Sequence, residues 1–405
     1  MLTILFTMCL IGQEPPTQAP VEEETPVTEL SKPEELIPTT TAINRTAVMK
    51  LLQGTYYGSL LDENKLSVYG WTQLAYTGAT NSGNLFPYAM NFEGNRFIMP
   101  QNYLRFERTV DQSSTTPTWG FRSDTILPGT DYRFTVARNL FDKQLTAENG
   151  QPNYYGIDPV QFYGEAYIPT IAHGMDIKVG RFFTQFGAES IDATQNLFLS
   201  HSYLFEYDPF THTGILTTTK LDDTWSVQNG LVLGNDNFIG PTDSPYYLGS
   251  VKWAPPTGAT SVLLSTILGK GRYDSAHQFH NPNLVDLIVT QKLNDRLNYT
   301  LDALYGYTTQ VPNIGFANWY SAVQYLSYRV NSELLANLRV EVFDDVQGMR
   351  TGFAGLYTET SIGLNYQPAP YLRIRPELRY DHNDSRPFQG KPDLFTAAVD
   401  MIIFW

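Results

Sequence analysis

Arg373, Arg375, Glu377, Arg379 and Asp381 occupy every second position of one run, and Arg339 and Glu341 repeat that spacing earlier in the chain. A two-residue period puts all of them on one face of a strand. A row of fixed charges of both signs binds and sorts ions by its field, and asks for no nucleophile and no proton transfer. A second constellation lies in Gly187 to Asp208, where Glu189, Asp192, Glu206 and Asp208 stand among Leu197, Phe198, Leu199, Tyr203, Leu204 and Phe205. So apolar a stretch left bare would be a sticky patch, so it is expected to pack on another surface.

Other reactive residue types do not assemble into a recognisable site. The sequence has no Gly-x-Ser-x-Gly elbow, no phosphate-binding glycine loop and no paired-histidine zinc motif. His277 and His280 sit in a polar stretch and read as surface residues. His201, Ser202, Asp208 and His212 contain the types of a nucleophile system, but such systems are defined by geometry and not by closeness in sequence. The expectation is no catalytic residue, no metal and no cofactor.

The elements that position the charged row are strands. Arg373, Arg375 and Arg379 alternate with Leu372, Ile374, Pro376, Leu378 and Tyr380. An arginine facing lipid near the midplane costs about 2–4 kcal/mol, and three would rival a domain's net stability of roughly 5–15 kcal/mol. If the apolar row faces lipid, the arginines face away from it. The same alternation recurs in Leu297 to Tyr307 and in Leu334 to Val342. Strands are expected at 66–77, 97–110, 117–127, 160–169, 174–186, 211–220, 224–234, 246–254, 259–269, 284–293, 296–307, 316–330, 333–345, 354–367, 371–382 and 393–405. Asp131 to Val136 is read as loop. Tight turns such as Ala172-His173-Gly174 and Asn331-Ser332 alternate with long polar loops, and Tyr and Trp gather near strand ends. The fold class is therefore all-β: an antiparallel up-and-down transmembrane barrel of about sixteen strands, wide enough for an aqueous channel.

Composition agrees. Aromatic residues make up 14% and charged residues 17% of the chain, the net charge is -14 and mean hydropathy is -0.26. No apolar run is long enough for a membrane-spanning helix. The acidic balance argues against a nucleic-acid partner. Residues 1–19 read as a signal peptide whose apolar core holds Cys9, the single cysteine. Residues 20–63 read as a disordered, acidic, Pro-rich linker with one short helix over Thr46 to Leu52, and 64–405 as the barrel. In the last strand, Phe395, Ala397, Val399, Met401, Ile403 and Trp405 form an unbroken apolar row. The final Phe404 and Trp405 resemble the assembly signal that barrel-assembly machinery reads in bacterial outer-membrane barrels.

Gly180 to Leu216, with Tyr69-Gly70-Trp71 and Gln101-Asn102-Tyr103, resembles the β-barrel porin-2 (OmpL-like) family of bacterial outer-membrane proteins. The resemblance implies a location in the bacterial outer membrane and a porin-like channel, with outer-membrane lipid and small hydrophilic solutes or ions as partners. Analogy with general porins suggests a homotrimer, and also that Gly187 to Asp208, the third long loop, sets the constriction. In that reading Glu189, Asp192, Glu206 and Asp208 line the opening, with Arg373, Arg375 and Arg379 facing them across a transverse field. Arg339, Glu341 and Glu377 complete the lining. The alternative is that the wall charges pair with one another as solvated residues. A plugged barrel serving as surface receptor or envelope anchor is the rival function.

Overall fold

Alternation over about ten residues at a time sets the strand plan, and the two-residue period decides which row faces the bilayer. The computed structural model describes residues 45–240, 244–271 and 282–405. Its strands are β1 (Ser67–Ala79), β2 (Asn102–Arg108), β3 (Thr118–Gly129), β4 (Gly156–Ile168), β5 (Met175–Phe183), β6 (Thr211–Lys220), β7 (Trp225–Val232) and β8 (Tyr246–Trp253). They continue with β9 (Thr260–Leu268), β10 (Asn283–Lys292), β11 (Leu297–Val311), β12 (Gly315–Arg329), β13 (Leu334–Asp345), β14 (Gly355–Ala369), β15 (Leu372–His382) and β16 (Asp393–Phe404). Each is antiparallel to the next, and β16 pairs with β1 to close a barrel of sixteen strands. No described helix is long and apolar enough to cross a membrane.

On β16, Phe395, Val399 and Ile403 lie on the exposed face, while Leu394, Thr396, Ala398, Asp400 and Ile402 are buried. Val399 is 40% exposed and its neighbour Asp400 1%, which fixes the apolar row outside and the carboxylate inside. β15 repeats this, with Leu378 and Tyr380 outside and the arginines inside. The seam between β16 and β1 is sealed by reciprocal bonds, Trp405 N to Gly70 O at 2.9 Å and Gly70 N to Trp405 O at 3.0 Å. The Trp405 indole also donates to Thr72 Oγ1. Gly70 leaves room for that ring: a Cβ there would stand 1.9 Å from Tyr103 O and 2.6 Å from the indole.

Three local features differ from the sequence expectation. The strand expected over 97–110 is interrupted: Arg96–Ile98 and Asn102–Arg108 both pair with β1, but the ladder breaks between them. Pro100 lies in the gap and has no N–H to donate. Two helices precede the barrel where one was expected, α1 (Ala47–Leu51) and α2 (Tyr56–Glu63), each started by a threonine whose hydroxyl accepts an orphan amide. Asp131 to Val136, expected as loop, holds one helical turn, α3 (Tyr132–Thr135). His277 and His280 lie outside the described residues.

A barrel has no second sheet against its inner face; here the core is built on a segment inside it. Phe186, Phe198, Tyr203 and Leu204, which lie between β5 and β6, cluster with inward-facing Leu304, Trp319, Val323, Phe343 and Tyr357. Ile191, Ala193 and Phe205 of the same segment join Trp71, Tyr103, Ile126 and Ile402 on the other side. The apolar residues of Gly187 to Asp208 therefore pack on the inner wall.

Candidate functional site

The segment from Thr184 to Phe210 leaves β5, turns into the barrel and returns to β6. Its secondary structure is one 3-10 turn, Ala193–Gln195, and one short helix, α4 (Tyr203–Tyr207). Most of its backbone N–H and C=O groups therefore need partners from elsewhere, because a buried unpaired group costs about 1–3 kcal/mol. The charged row supplies them. Glu377 accepts the amides of Leu199 and Ser200 at 2.8 and 3.1 Å. Glu341 accepts those of Tyr203 and Leu204, both at 2.7 Å. On the opposite side of the segment, Asp286 takes Gly187 N at 3.1 Å and Asp302 takes Ala188 N at 2.6 Å.

The arginines hold the carbonyls. Arg373 donates to Thr194 O at 2.6 Å, and Arg375 to Ala193 O and Asn196 O at 3.0 and 2.7 Å. Arg339 donates to Ser200 O at 2.8 Å, and Arg379 to His201 O. Each of Arg375, Arg379 and Arg339 also meets a wall carboxylate: Asp400, Asp381 and Glu359 respectively.

The loop carboxylates are spread over different surroundings. Glu189 reaches Arg339 at 2.9 Å and accepts from Tyr325 OH at 2.8 Å, and its other oxygen meets His201 Nδ1 at 2.6 Å. Burial pushes its carboxyl up, but Arg339 and the His201 contact outweigh this and hold it at about 2. Burial pushes the His201 ring below its ordinary range, so the neutral ring donates to Glu189. Asp192 points to the other wall, 3.2 Å from Arg105, and caps the 3-10 turn by accepting Thr194 N. Glu206 lies buried on α4, and burial raises its carboxyl well above the ordinary range. Asp208 is buried beside Gly187.

The expected transverse arrangement is corrected by this geometry. Arg373, Arg375 and Arg379 do not look across a gap at Glu189, Asp192, Glu206 and Asp208; they grip the segment's main chain. Wall charges also pair with one another, as in the alternative reading, but buried and not solvated. The physical reason is that the segment's short 3-10 turn and helix leave many of its main-chain amides and carbonyls without partners inside the segment, which makes its backbone a ready partner for the row. Sequence reading passed over Arg105, Asp286, Asp302, Glu359 and Asp400 as site residues. All five stand at inward positions of alternating strands, so strand parity was the signal that could have found them.

The sequence profile of the family described as "Putative beta-barrel porin-2, OmpL-like" matches residues 65–404. The chain belongs to this family. No curated protein matches it. Among solved structures it is similar to an anion-selective porin of Comamonas acidovorans, with 9% identity, TM-score 0.56, and coverage of 84% of this chain and 99% of that one. It is also similar to the outer-membrane channel DcaP of Acinetobacter baumannii, at 12% identity, TM-score 0.52, and coverage of 84% and 97%. A third is a loop-deletion form of the outer-membrane protein OmpT of Vibrio cholerae, at 10% identity, TM-score 0.51, and coverage of 84% and 99%. At these identities the structures share the fold. Family and barrel together make this chain a porin-like channel, and they imply a bacterial outer-membrane location.

Proposed function

We propose that the channel lets small hydrophilic solutes diffuse passively across the outer membrane, and that Gly187 to Asp208 sets its narrowest point. The observation that carries the second part is the segment's attachment inside the barrel by wall residues of β10, β11, β13 and β15. The wall residues Arg339, Glu341, Arg373, Arg375, Glu377 and Arg379 act in this reading as the mount of the constriction. Selectivity then depends on the space left beside the segment and not on an open row of arginines. Assembly as a homotrimer in outer-membrane lipid, with Phe404 and Trp405 read by the barrel-assembly machinery, belongs to the same proposal.

One observation favours the rival, a plugged barrel acting as receptor or anchor. At the height of the segment, inward side chains from Ser265, Asp286 and Asp302 round to Asp400 and Gln73 are buried. Purified protein in planar bilayers separates the two. Discrete, stable current steps support the channel; a folded barrel that never conducts leaves the plug.

A further inference from the structure

The two helices before the barrel turn an apolar face away from the protein. α2 packs its back on α1, where Gly58 is buried and a Cβ would stand 2.1 Å from Leu52 O. Arg45 clamps the pair by holding Asp62 at 2.7 Å. At 3.6 residues per turn, Tyr56, Tyr57, Leu60 and Leu61 share one arc of α2, and Ser59, Asp62 and Glu63 share another. The apolar arc is not the side that packs: Tyr56 is 77% exposed and Tyr57 67%, and Leu51 on α1 is 82% exposed. A helix bordered by water turns such a face onto the protein, and one that shows it outward marks a contact surface.

Attachment to the barrel identifies what this surface meets. Ser67 pairs with Glu107, so β1 begins where β2 ends, and the helices stand at the end of the barrel that carries the short turns. There Val68 faces the same edge of β1 as Gly70, beyond the point where β16 stops at Trp405, and its carbonyl accepts from Thr46 Oγ1 at 3.3 Å. Arg108 stands on the outward row of β2 with Leu104 and Phe106, alternating with buried Tyr103 and Glu107. Its Nε donates at 3.2 Å to Asn64 O, at the end of α2, and its guanidinium lies 3.9 Å from the centre of the Trp119 ring. Trp119 belongs, with Trp225, Tyr328 and Tyr366, to the exposed outward aromatic residues of this end, where a transmembrane barrel meets lipid headgroups. α2 therefore ends against the lipid-facing side of the wall, at the level of the aromatic girdle.

We infer that α1 and α2 form a lipid-interface anchor: they lie in the headgroup layer of the leaflet at the short-turn end, with Leu51, Tyr56, Tyr57 and Leu60 against the acyl chains of glycerophospholipid. A helix of eight residues holds a bilayer weakly by itself, because its buried apolar area is small. Here the barrel already keeps it at the surface, so its binding is intramolecular and little freedom is lost when it settles. Tyrosine suits this depth, with its ring at the hydrocarbon edge and its hydroxyl among the headgroups.

The chain's single cysteine, Cys9, makes a clean test possible. In a Cys9→Ser background of the full chain, Tyr57→Cys and Ser59→Cys each carry one bimane label. Both barrels are first shown to be folded by heat-modified gel mobility, then placed in liposomes of phosphatidylethanolamine and phosphatidylglycerol. Both positions are exposed on the protein and lie on opposite sides of α2, so only the surroundings can tell the labels apart. Phospholipid spin-labelled near its headgroup should quench the Tyr57→Cys label severalfold more than the Ser59→Cys label, and aqueous iodide should do the reverse. Quenching that does not distinguish the two labels overturns the anchor. A Tyr57→Cys label hidden from iodide yet unquenched by the spin-labelled lipid overturns it as well, and shows that a second copy of the chain covers this face instead.

Discussion

Arg339 on β13 and Glu189 on the inward segment meet at 2.9 Å with both side chains buried, and the guanidinium also holds the main-chain oxygen of Ser200, further along the same segment. One wall residue thus ties two points of the segment. Removing one partner of a buried pair leaves an uncompensated charge, at about 3–5 kcal/mol. Arg339→Leu should lower the thermal midpoint of the folded barrel and raise mean conductance, with noisier current as the segment loosens. Arg339→Leu combined with Glu189→Gln should recover part of the stability. Equal midpoints for the single and double variants would show that the pair is not what holds the segment.

Deleting residues 189–206 and joining the ends with a short glycine linker should increase single-channel conductance. The same deletion frees Arg373, Arg375 and Arg379 from the carbonyls they now hold. Neutralising the three arginines should therefore move the reversal potential toward cations far more in the deleted barrel than in the intact one. Equal shifts in both backgrounds would mean that the row already faces the ion path.

Glu206 gives a pH signature. Its carboxyl titrates well above the ordinary 4.5 in the folded protein because burial disfavours the charged form. A raised folded value contributes stability that is full below the unfolded value and is lost as pH rises toward the folded one. Glu206→Gln removes the titration, so its advantage in thermal midpoint over the natural protein should widen between about pH 4 and about pH 8. A difference that stays constant over this range argues that the carboxyl is ionised or hydrated inside the barrel.

Gly70 and Trp405 give a test of closure. Gly70→Val brings side-chain atoms into space already taken by Tyr103 O and the Trp405 ring. It should reduce the fraction of heat-modifiable barrel as severely as deletion of Phe404 and Trp405, while a two-residue deletion within 13–41 leaves that fraction unchanged. Normal assembly of Gly70→Val would separate the fit of the Trp405 ring from closure.

Gly187 enters the barrel at φ +73°, and a Cβ there would meet Asp208 and Leu204 only at ordinary contact distance, 3.5 Å, so the backbone conformation is what favours glycine. The positive φ costs a residue other than glycine about 1–2 kcal/mol. Gly187→Ala should accordingly loosen the start of the segment, read as faster amide hydrogen exchange at Ala188, whose N–H is held by Asp302, with β15 unaffected.

The sequence by itself determined the barrel. Val399 against Asp400, or Leu378 against Arg379, is a contrast with a strict period of two, and the expense of a charge in lipid leaves one solution for the facing of each strand. It also determined that Gly187 to Asp208 could not stay bare, since its apolar side chains had no local surface to cover. What it left undetermined was the partner of each charge. Arg375 reads in sequence as a lumen cation that faces the loop carboxylates or pairs with other wall charges, yet it is bound to Ala193 O and Asn196 O as well as to Asp400. Main-chain carbonyls and amides carry no sequence identity, so their demand for partners is invisible until the segment's path is known. Likewise Glu189 meets Arg339 from across 150 positions of chain, and Asn91 lines one small cavity with Gln73 and Asp131 although the three are far apart in sequence, the loop before β2 packing Leu85 and Tyr88 into the interior cluster. Those juxtapositions follow from barrel closure and from the course of the inward segment, which only the tertiary structure decides.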